Sequence, residues 1–464
     1  MKMNFKAMMV TGLAVALMHA GTTHAEQVTL DVSPAYTVLK SGKKQTTWIR
    51  VGVTGFEMKA DKERAPVNVA IVLDKSGSMS GEKIAKAREA AMGAIDRLGP
   101  NDIVTVVTYD TTVNVLVPAT KLTDKAYVKA AIAGVNSGGG TALFAGVSKG
   151  AAEIRKFLEK ERVNRIILLS DGLANEGPSS PSELGALGAS LKKEGISVST
   201  LGLGLDYNED LMAQLASKSG GNHEFIERAT ELADIFNREF DDVTSVVAQE
   251  VSIKIVVPEG VRPVRVLGND AEIAGQNIQL LFNQLYSKQN RHVVLEVEVP
   301  PSENGQKLSL AKISANYHNM QSGKTDSLSG AASVKFSDKD KLVEKSLDKK
   351  VMEDVVVFVA NEQNRLATDF LDAGDLFKCA RTLEESNIFL KENAQKLGRS
   401  AKLEAIIISN GAQVQALKNR DVNRARKDMR YLQNSIDLNT SEISSKLQVQ
   451  EPVQSPAPPT PRNP

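Results

Sequence analysis

The sequence predicts an α/β domain with a doubly wound, mostly parallel sheet, inserted in a β-sandwich-like frame and followed by an α-helical region. Three observations carry this expectation. Short apolar runs alternate with helical apolar spacing across residues 66–249. Period-two alternation flanks that stretch on both sides. Heptad-like spacing then recurs within 338–448. At 464 residues the chain is long enough for several domains, and 42% hydrophobic with 24% charged residues describe an ordinary globular protein.

Residues 1–25 stand apart. Lys2 and Lys6 make a short positive start, residues 7–18 are apolar apart from Thr11 and Gly12, and Thr23-His24-Ala25 puts small residues at −3 and −1 of a cleavage site. That order is the pattern of a secretory signal peptide, so the chain is expected to be exported and periplasmic or secreted. No Cys directly follows the apolar stretch, which argues against a lipid-anchored form. After residue 25 no apolar run approaches the ~18 residues of a spanning helix, and no transmembrane segment is expected in the mature chain. Lys+Arg 57 against Asp+Glu 56 gives a net charge of +1, and cleavage would remove two lysines. No basic excess points to a nucleic acid partner. Cys379 is the only cysteine, so an intrachain disulfide is excluded and the exported chain must rest on its core. Its helical surroundings suit a packed thiol rather than a nucleophile.

The elements follow in order. Residues 26–65 alternate, with Val28, Leu30 and Val32 on one phase and Ile49, Val51 and Val53 on another, and are expected to pair with the later β region. In 66–249 the expected strands are 67–73, 103–109, 112–117, 165–170 and 196–203. The expected helices are 82–98, 126–135, 141–160, 181–193, 208–218 and 229–247. Residues 250–337 return to β patterning, most cleanly in Val251, Ile253, Ile255 and Val257 and in Val293, Leu295, Val297 and Val299. In 338–448 a 4,3 seam runs through Leu376, Ala380, Leu383, Asn387, Leu390, Ala394 and Leu397, with Gly374 and Gly398 as breaks. Residues 449–464 form a Pro-rich tail, with six prolines from Glu451 onward, and are expected to be disordered or extended.

The residues that carry chemistry lie where buried strands end. Asp74-Lys75-Ser76-Gly77-Ser78 follows the first of them and precedes a helix. In a parallel α/β sheet the loops at the carboxyl ends of strands line the ligand crevice. Asp74, Ser76 and Ser78 are spaced by two, so a tight loop can turn three oxygens to one point, with Gly77 permitting the bend. A carboxylate and two hydroxyls are hard ligands that suit Mg²⁺, Ca²⁺ or Mn²⁺ better than zinc. Ser137-Gly138-Gly139-Gly140-Thr141 lacks the ending of a P-loop, but its glycines allow close backbone approach and present the Thr141 hydroxyl. Leu168-Leu169-Ser170-Asp171-Gly172 puts an acid at the end of another buried strand. The mature histidines, His223, His292 and His318, are scattered without metal-ligand spacing, and no G-x-S-x-G frames a nucleophile.

Together these three segments resemble the von Willebrand factor type A (VWA) domain and its metal-ion-dependent adhesion site. The likeness covers roughly residues 66–245, and the flanking zones look like bacterial secreted or envelope members of that family. The resemblance implies one divalent cation, Mg²⁺ foremost, with Ser76, Ser78 and Thr141 as direct ligands and Asp74 and Asp171 acting directly or through water. It implies a non-enzymatic adhesion or assembly protein of the bacterial cell envelope whose metal captures an Asp or Glu of a protein partner. Two other functions stay open at this point. One is a metal-dependent hydrolase such as a phosphatase, which would need further general-base groups. The other is a structural envelope component acting through its helical region.

Overall fold

The computed structural model describes residues 27–58, 64–398 and 400–439. The expected signal segment and the Pro-rich tail lie outside the described residues.

Three strands come first: β1 (Thr29–Pro34), β2 (Val38–Lys40) and β3 (Gln45–Thr54). The chain then builds the α/β domain. Its strands are β4 (Val67–Asp74), β5 (Ile103–Tyr109), β6 (Val113–Lys121), β7 (Val163–Ser170), β8 (Ile196–Leu203) and β9 (His223–Ile226). Its helices are α1 (Glu82–Arg97), α2 (Lys125–Ala133), α3 (Leu143–Ile154), α4 (Pro181–Lys193), α5 (Glu209–Ser219) and α6 (Leu232–Thr244). The sheet order is β6-β5-β4-β7-β8-β9, parallel throughout except for β6. Every residue of β4, β5, β7 and β8 is buried, which is why these strands read as continuous apolar runs: helices cover both faces. Val69, Ile71 and Leu73 face α1 and α6, whereas Ala70 and Val72 face α3, the period-two division of a pleated strand.

The order reverses at β4, and the crevice of a doubly wound sheet opens at such a switch point. Two glycines bring α3 close to it. A Cβ at Gly146 would lie 2.7 Å from Tyr109 Cδ1, and one at Gly150 would lie 2.8 Å from Val72 Cγ2. One helical turn apart, they let the α3 backbone settle onto β4 and β5 and hold Thr141, two residues before the helix, over the strand ends.

The frame continues as β10 (Val246–Val256), β11 (Arg262–Leu267), β12 (Glu272–Ala274), β13 (Asn277–Tyr286), β14 (Asn290–Val299), β15 (Lys307–Asn319) and β16 (Lys324–Ser337). It forms two sheets, β1-β3-β14-β11 and β12-β13-β10-β15-β16-β2. Segments before and after the α/β domain therefore share both sheets, and the insertion expected from the sequence is the observed architecture. Val51 pairs with Val293 across β3 and β14, and their neighbours enclose a common apolar core.

The other face of β3 carries the third region: α7 (Asp340–Lys345), α8 (Lys349–Asp372), α9 (Leu376–Leu397), α10 (Ala401–Lys418) and α11 (Val422–Asp437). Trp48 packs into a core with Val355 and Phe358 of α8. Arg50 is buried there with Nε donating to Asp354 Oδ2 at 2.7 Å. α11 lies along the α/β domain, where Lys427 donates to Glu209 at 2.6 Å and Asn434 accepts the His223 backbone N–H.

Several elements differ from the sequence expectation. The strand β9 and the frame strands β11 to β13 have no individual counterpart in the sequence expectation. The helix expected over 229–247 ends at Thr244 after a single 3-10 turn at its start, and Val246 already opens β10. The helix expected over 141–160 is α3, which ends at Ile154. On α9 the buried positions are Cys379, Leu383, Ser386 and Leu390, whereas Leu376 is exposed. The buried stripe thus passes through Cys379 and Ser386 instead of Leu376, Ala380 and Asn387. Burial pushes the Cys379 thiol up to about 11, a poor thiolate and a good packing residue.

Candidate metal centre

Asp74 is the last residue of β4 and is fully buried. Its Oδ1 accepts the backbone N–H of Ser76 at 2.8 Å, and its Oδ2 accepts the Ser170 hydroxyl at 2.7 Å. Burial raises its pKa, against the lowering effect of the Ser76 and Ser170 hydrogen bonds, and the nearby charge of Asp171 raises it further. A positive charge in the crevice would relieve both raising effects.

The loop after β4 is zipped to the glycine loop. Gly77 N–H donates to Gly139 O at 3.0 Å, and Gly138 N–H donates to Lys75 O at 2.7 Å. Gly139 has φ +86°, a left-handed conformation that glycine adopts without strain. Asp110 anchors the same corner: its carbonyl accepts Ala142 N–H at 2.8 Å, and its carboxylate pairs with Lys75. Lys75 is therefore a brace between loops, and Asp110 also closes its own turn by accepting Thr112 N–H at 2.7 Å.

Asp171 follows β7 directly. Its Oδ1 accepts the Ser78 hydroxyl at 2.7 Å, and Ser78 Oγ lies 3.0 Å from Ser76 Oγ. Gly172 shows how tightly the hydroxyls gather. A Cβ built there would lie 3.1 Å from Ser78 Oγ, 3.2 Å from Thr141 Oγ1 and 3.8 Å from Ser76 Oγ. The structure thus brings the five sequence-predicted residues to one end of the sheet, around a small cradle that any side chain at position 172 would enter. Two carboxylates and three hydroxyls are a hard-oxygen donor set that suits a small divalent cation.

Two further residues support the site: Lys83, which the sequence does not signal, and Asn175, which with Glu176 reads in the sequence as a solvated loop just after Asp171 that could shape partner specificity. Lys83, in the first turn of α1, pairs with Asp171 Oδ2. Asn175 Oδ1 accepts the Thr141 backbone N–H at 2.8 Å, and Asn175 N–H donates to Thr141 O at 3.2 Å. Asn175 and Glu176 also flank Gly140, within 3.2 Å of where its Cβ would stand. For Lys83 the sequence signal is position alone, the first turn of the helix after the Asp-Ser loop.

Residues 68–238 match the family model of the von Willebrand factor type A domain. They form a VWA domain. An uncharacterised protein of Synechocystis is 27% identical over 339 residues, which is 70% of this chain and 79% of that protein. Human inter-alpha-trypsin inhibitor heavy chain H4 is 29% identical over 231 residues, 47% of this chain but 23% of its own length. The Escherichia coli protein YfbK is 28% identical over 214 residues, 46% of this chain and 37% of its own. The chain thus spans well under half of these last two relatives. Among solved structures, a VWA protein of Catenulispora acidiphila superposes with a TM-score of 0.66 at 17% identity, covering 83% of this chain and 90% of that one. The ArnB paralog VWA2 of Sulfolobus acidocaldarius gives 0.61 at 18% identity, covering 88% and 98%. Both likenesses concern the fold, and both extend well beyond the VWA domain into its flanking regions.

The VWA domain is oriented by its frame. Arg165, near the start of β7, is fully buried and donates to Glu239 Oε1 at 2.9 Å, to Ser199 Oγ at 2.7 Å and to Tyr286 of β13 at 2.8 Å. The amino ends of the strands thus rest on the sandwich. Ser170, five residues further along β7, is roughly 17 Å away at the rise of a strand, so the Asp171 end of the VWA sheet points away from the frame.

Proposed function

We propose that this protein is a non-catalytic, metal-dependent protein-binding component of the bacterial cell envelope, exported by its N-terminal segment and periplasmic or secreted. Asp74, Ser76, Ser78, Thr141 and Asp171 hold one divalent cation, with Mg²⁺ the best match and Ca²⁺ or Mn²⁺ served by the same donors. The observation that carries the reading is the gathering of three hydroxyls over Gly172 beside Asp171. When bound, the cation supplies an electrophilic position where an Asp or Glu of a protein partner replaces a water.

The chain's own residues prepare that position. The three hydroxyls are neutral, so only Asp74 and Asp171 offset the cation, and Lys83 counters part of their charge, which favours an incoming anion. Ser170 and the Ser76 backbone fix Asp74, Asn175 fixes the Thr141 backbone, and Lys83 holds one oxygen of Asp171 while the other faces Ser78. Ser78 is exposed although Asp74, Asp171, Ser76 and Thr141 are buried, so the site opens at Ser78. Glu176 is exposed beside the glycine loop and would favour partners that offset its charge. A hydrolase on the same ion would use more carboxylates and a general base. Among the described residues, no three His, Cys, Asp or Glu side chains form a metal-holding group.

The mature protein used as bait in an envelope extract, with and without EDTA, tests the reading. Partner capture should require the metal and should fail for Asp74→Ala. Capture that survives both treatments would refute it. Metal-dependent phosphatase activity lost in Asp171→Ala would replace it with the hydrolase reading.

A further inference from the structure

Far from the metal centre, the VWA domain, the sandwich and the helical region meet around a second polar chamber. It has a volume of about 390 Å³ and is walled by α4 and α5 of the VWA domain, β14 of the frame, and α8 and α11 of the helical region. Four cations stand in its wall: Lys192, Lys218, Arg291 and Arg365. Two of them are matched. Lys218 Nζ lies 2.6 Å from Asp270 Oδ2, and Arg365 pairs with Asp437. The other oxygen of Asp437 is taken by Asn361 at 3.0 Å, and Glu362 turns to Arg265 at 2.7 Å.

The remaining two have no carboxylate within ion-pair distance among the described residues. Arg291 is 6% exposed and stacks 4.5 Å above the Phe282 ring. Among the described residues its Nε has no hydrogen-bond partner, and its one contact to an acceptor is Nη2 to the Asp437 backbone carbonyl at 3.5 Å. Lys192, partly buried at the last turn of α4, faces the same chamber. Asn434 also lines the chamber, and its buried Nδ2 is likewise without a partner among the described residues. Buried charges are ordinarily paired, because desolvation without compensation is costly. Here two cations and an amide donor share a space large enough for a small ligand.

We propose that this chamber binds a compact oxyanion, a phosphate group, between Lys192 and Arg291. The two unmatched positive charges equal the charge of a phosphate dianion. A guanidinium fork with an adjacent ammonium and an amide N–H matches its tetrahedral oxygens. The protonation behaviour agrees. Burial and then the charge of Arg291 push the Lys192 ammonium down to about 8, and burial pushes Arg291 down to about 10. The ligand would touch all three regions and so fix how the VWA domain sits on its frame. The proposal does not depend on the metal reading, since its residues are none of the metal-site residues and Lys192 lies roughly 17 Å along α4 from Pro181 at its start.

Thermal melts and calorimetric titrations of the mature chain test it, in a low-salt buffer with EDTA so that no cation contributes. Inorganic phosphate and glycerol 3-phosphate are compared with chloride at equal ionic strength. The phosphate arms should raise the melting temperature saturably, and chloride should not. Tighter binding of the ester would assign the site to a phosphorylated small molecule, and equal or weaker binding would assign it to free phosphate. Lys192→Gln should weaken phosphate binding by about tenfold or more, the loss of one charge-assisted hydrogen bond. Without phosphate the same variant should melt above the wild type, because repulsion with Arg291 is gone. Lys192 is partly exposed, so this variant carries the test even if Arg291→Gln does not fold. A phosphate effect no greater than that of chloride, or unchanged binding by Lys192→Gln, would overturn the proposal.

Discussion

The Ser78 hydroxyl donates to Asp171 Oδ1 at 2.7 Å, joining the loop after β4 to the end of β7. The two residues are 93 positions apart in the chain. Neighbouring parallel strands, β4 and β7, bring them together at the switch point, where the helix connections leave in opposite directions. The predictions below follow from that junction and from the way the domain is mounted.

Lys83 occupies the carboxylate oxygen of Asp171 that Ser78 does not. Lys83→Met removes a cation that repels an incoming metal and leaves a fully buried carboxylate with less support. Without metal, the variant should lose about 1–3 kcal/mol of stability. With Mg²⁺ it should recover, and its metal affinity should exceed that of the wild type. Parallel denaturant melts with and without Mg²⁺ check both signs.

Gly172 is expected to be essential for room. In Gly172→Ala the new Cβ meets Ser78 Oγ and Thr141 Oγ1 at 3.1 and 3.2 Å, so the hydroxyls must give way. Mg²⁺ tolerates little departure from octahedral geometry. The fold should persist, and Mg²⁺ affinity should fall on the order of tenfold, measured by titration calorimetry. Unaltered affinity would place the cation elsewhere.

Arg165 and Glu239 are both fully buried at the mounting of the domain. Arg165→Met strands Glu239 and should cost about 3–5 kcal/mol of stability. Adding Glu239→Leu should restore a large part of that loss, because the uncompensated charge is removed. Urea unfolding of the single and double variants reads the difference.

Asp354 of α8 ties the helical region to the frame through Arg50 of β3 and His292 of β14, and Lys402 of α10 pairs with its other oxygen from within the helical region. Burial opposes its charge, but the hydrogen bond and charge of His292 and the charges of Lys402 and Arg50 outweigh this, and its pKa is lowered well below the carboxylate range. A carboxylate held below its unfolded value stabilises the fold above that value and loses this contribution as pH falls toward the folded one. Asp354→Asn should therefore be clearly destabilised near pH 7, and its gap to the wild type should narrow below about pH 4. Urea melts across that range measure the gap.

What the sequence made legible follows from what each residue's role depends on. The strands β4, β7 and β8 announce themselves because burial on both faces demands unbroken apolar runs. The Asp-Ser loop and Asp171 are legible because strand ends in such a sheet are where ligands bind, and Thr141 because three glycines precede it. β9 is hidden because four residues, His-Glu-Phe-Ile, are too few to show a period. The helix α6 was overrun because Val243, Val246 and Val247 keep a helical spacing while Ser245 already turns the chain. Lys83 and Asn175 act only through partners supplied by other loops, and pairing across loops leaves no local pattern. The seam on α9 was misphased for a similar reason: which of two interleaved stripes is buried depends on where α8 and α10 lie.

The most direct measurement is a calorimetric titration of Mg²⁺ into the metal-free mature chain, repeated with Asp74→Ala and followed by thermal melts. The account predicts one binding site per chain, a raised melting temperature at saturating metal of the size that mass action gives, and loss of both in the variant. No binding and no shift with Mg²⁺, Ca²⁺ or Mn²⁺ at millimolar concentration, or equal binding by Asp74→Ala, would contradict it.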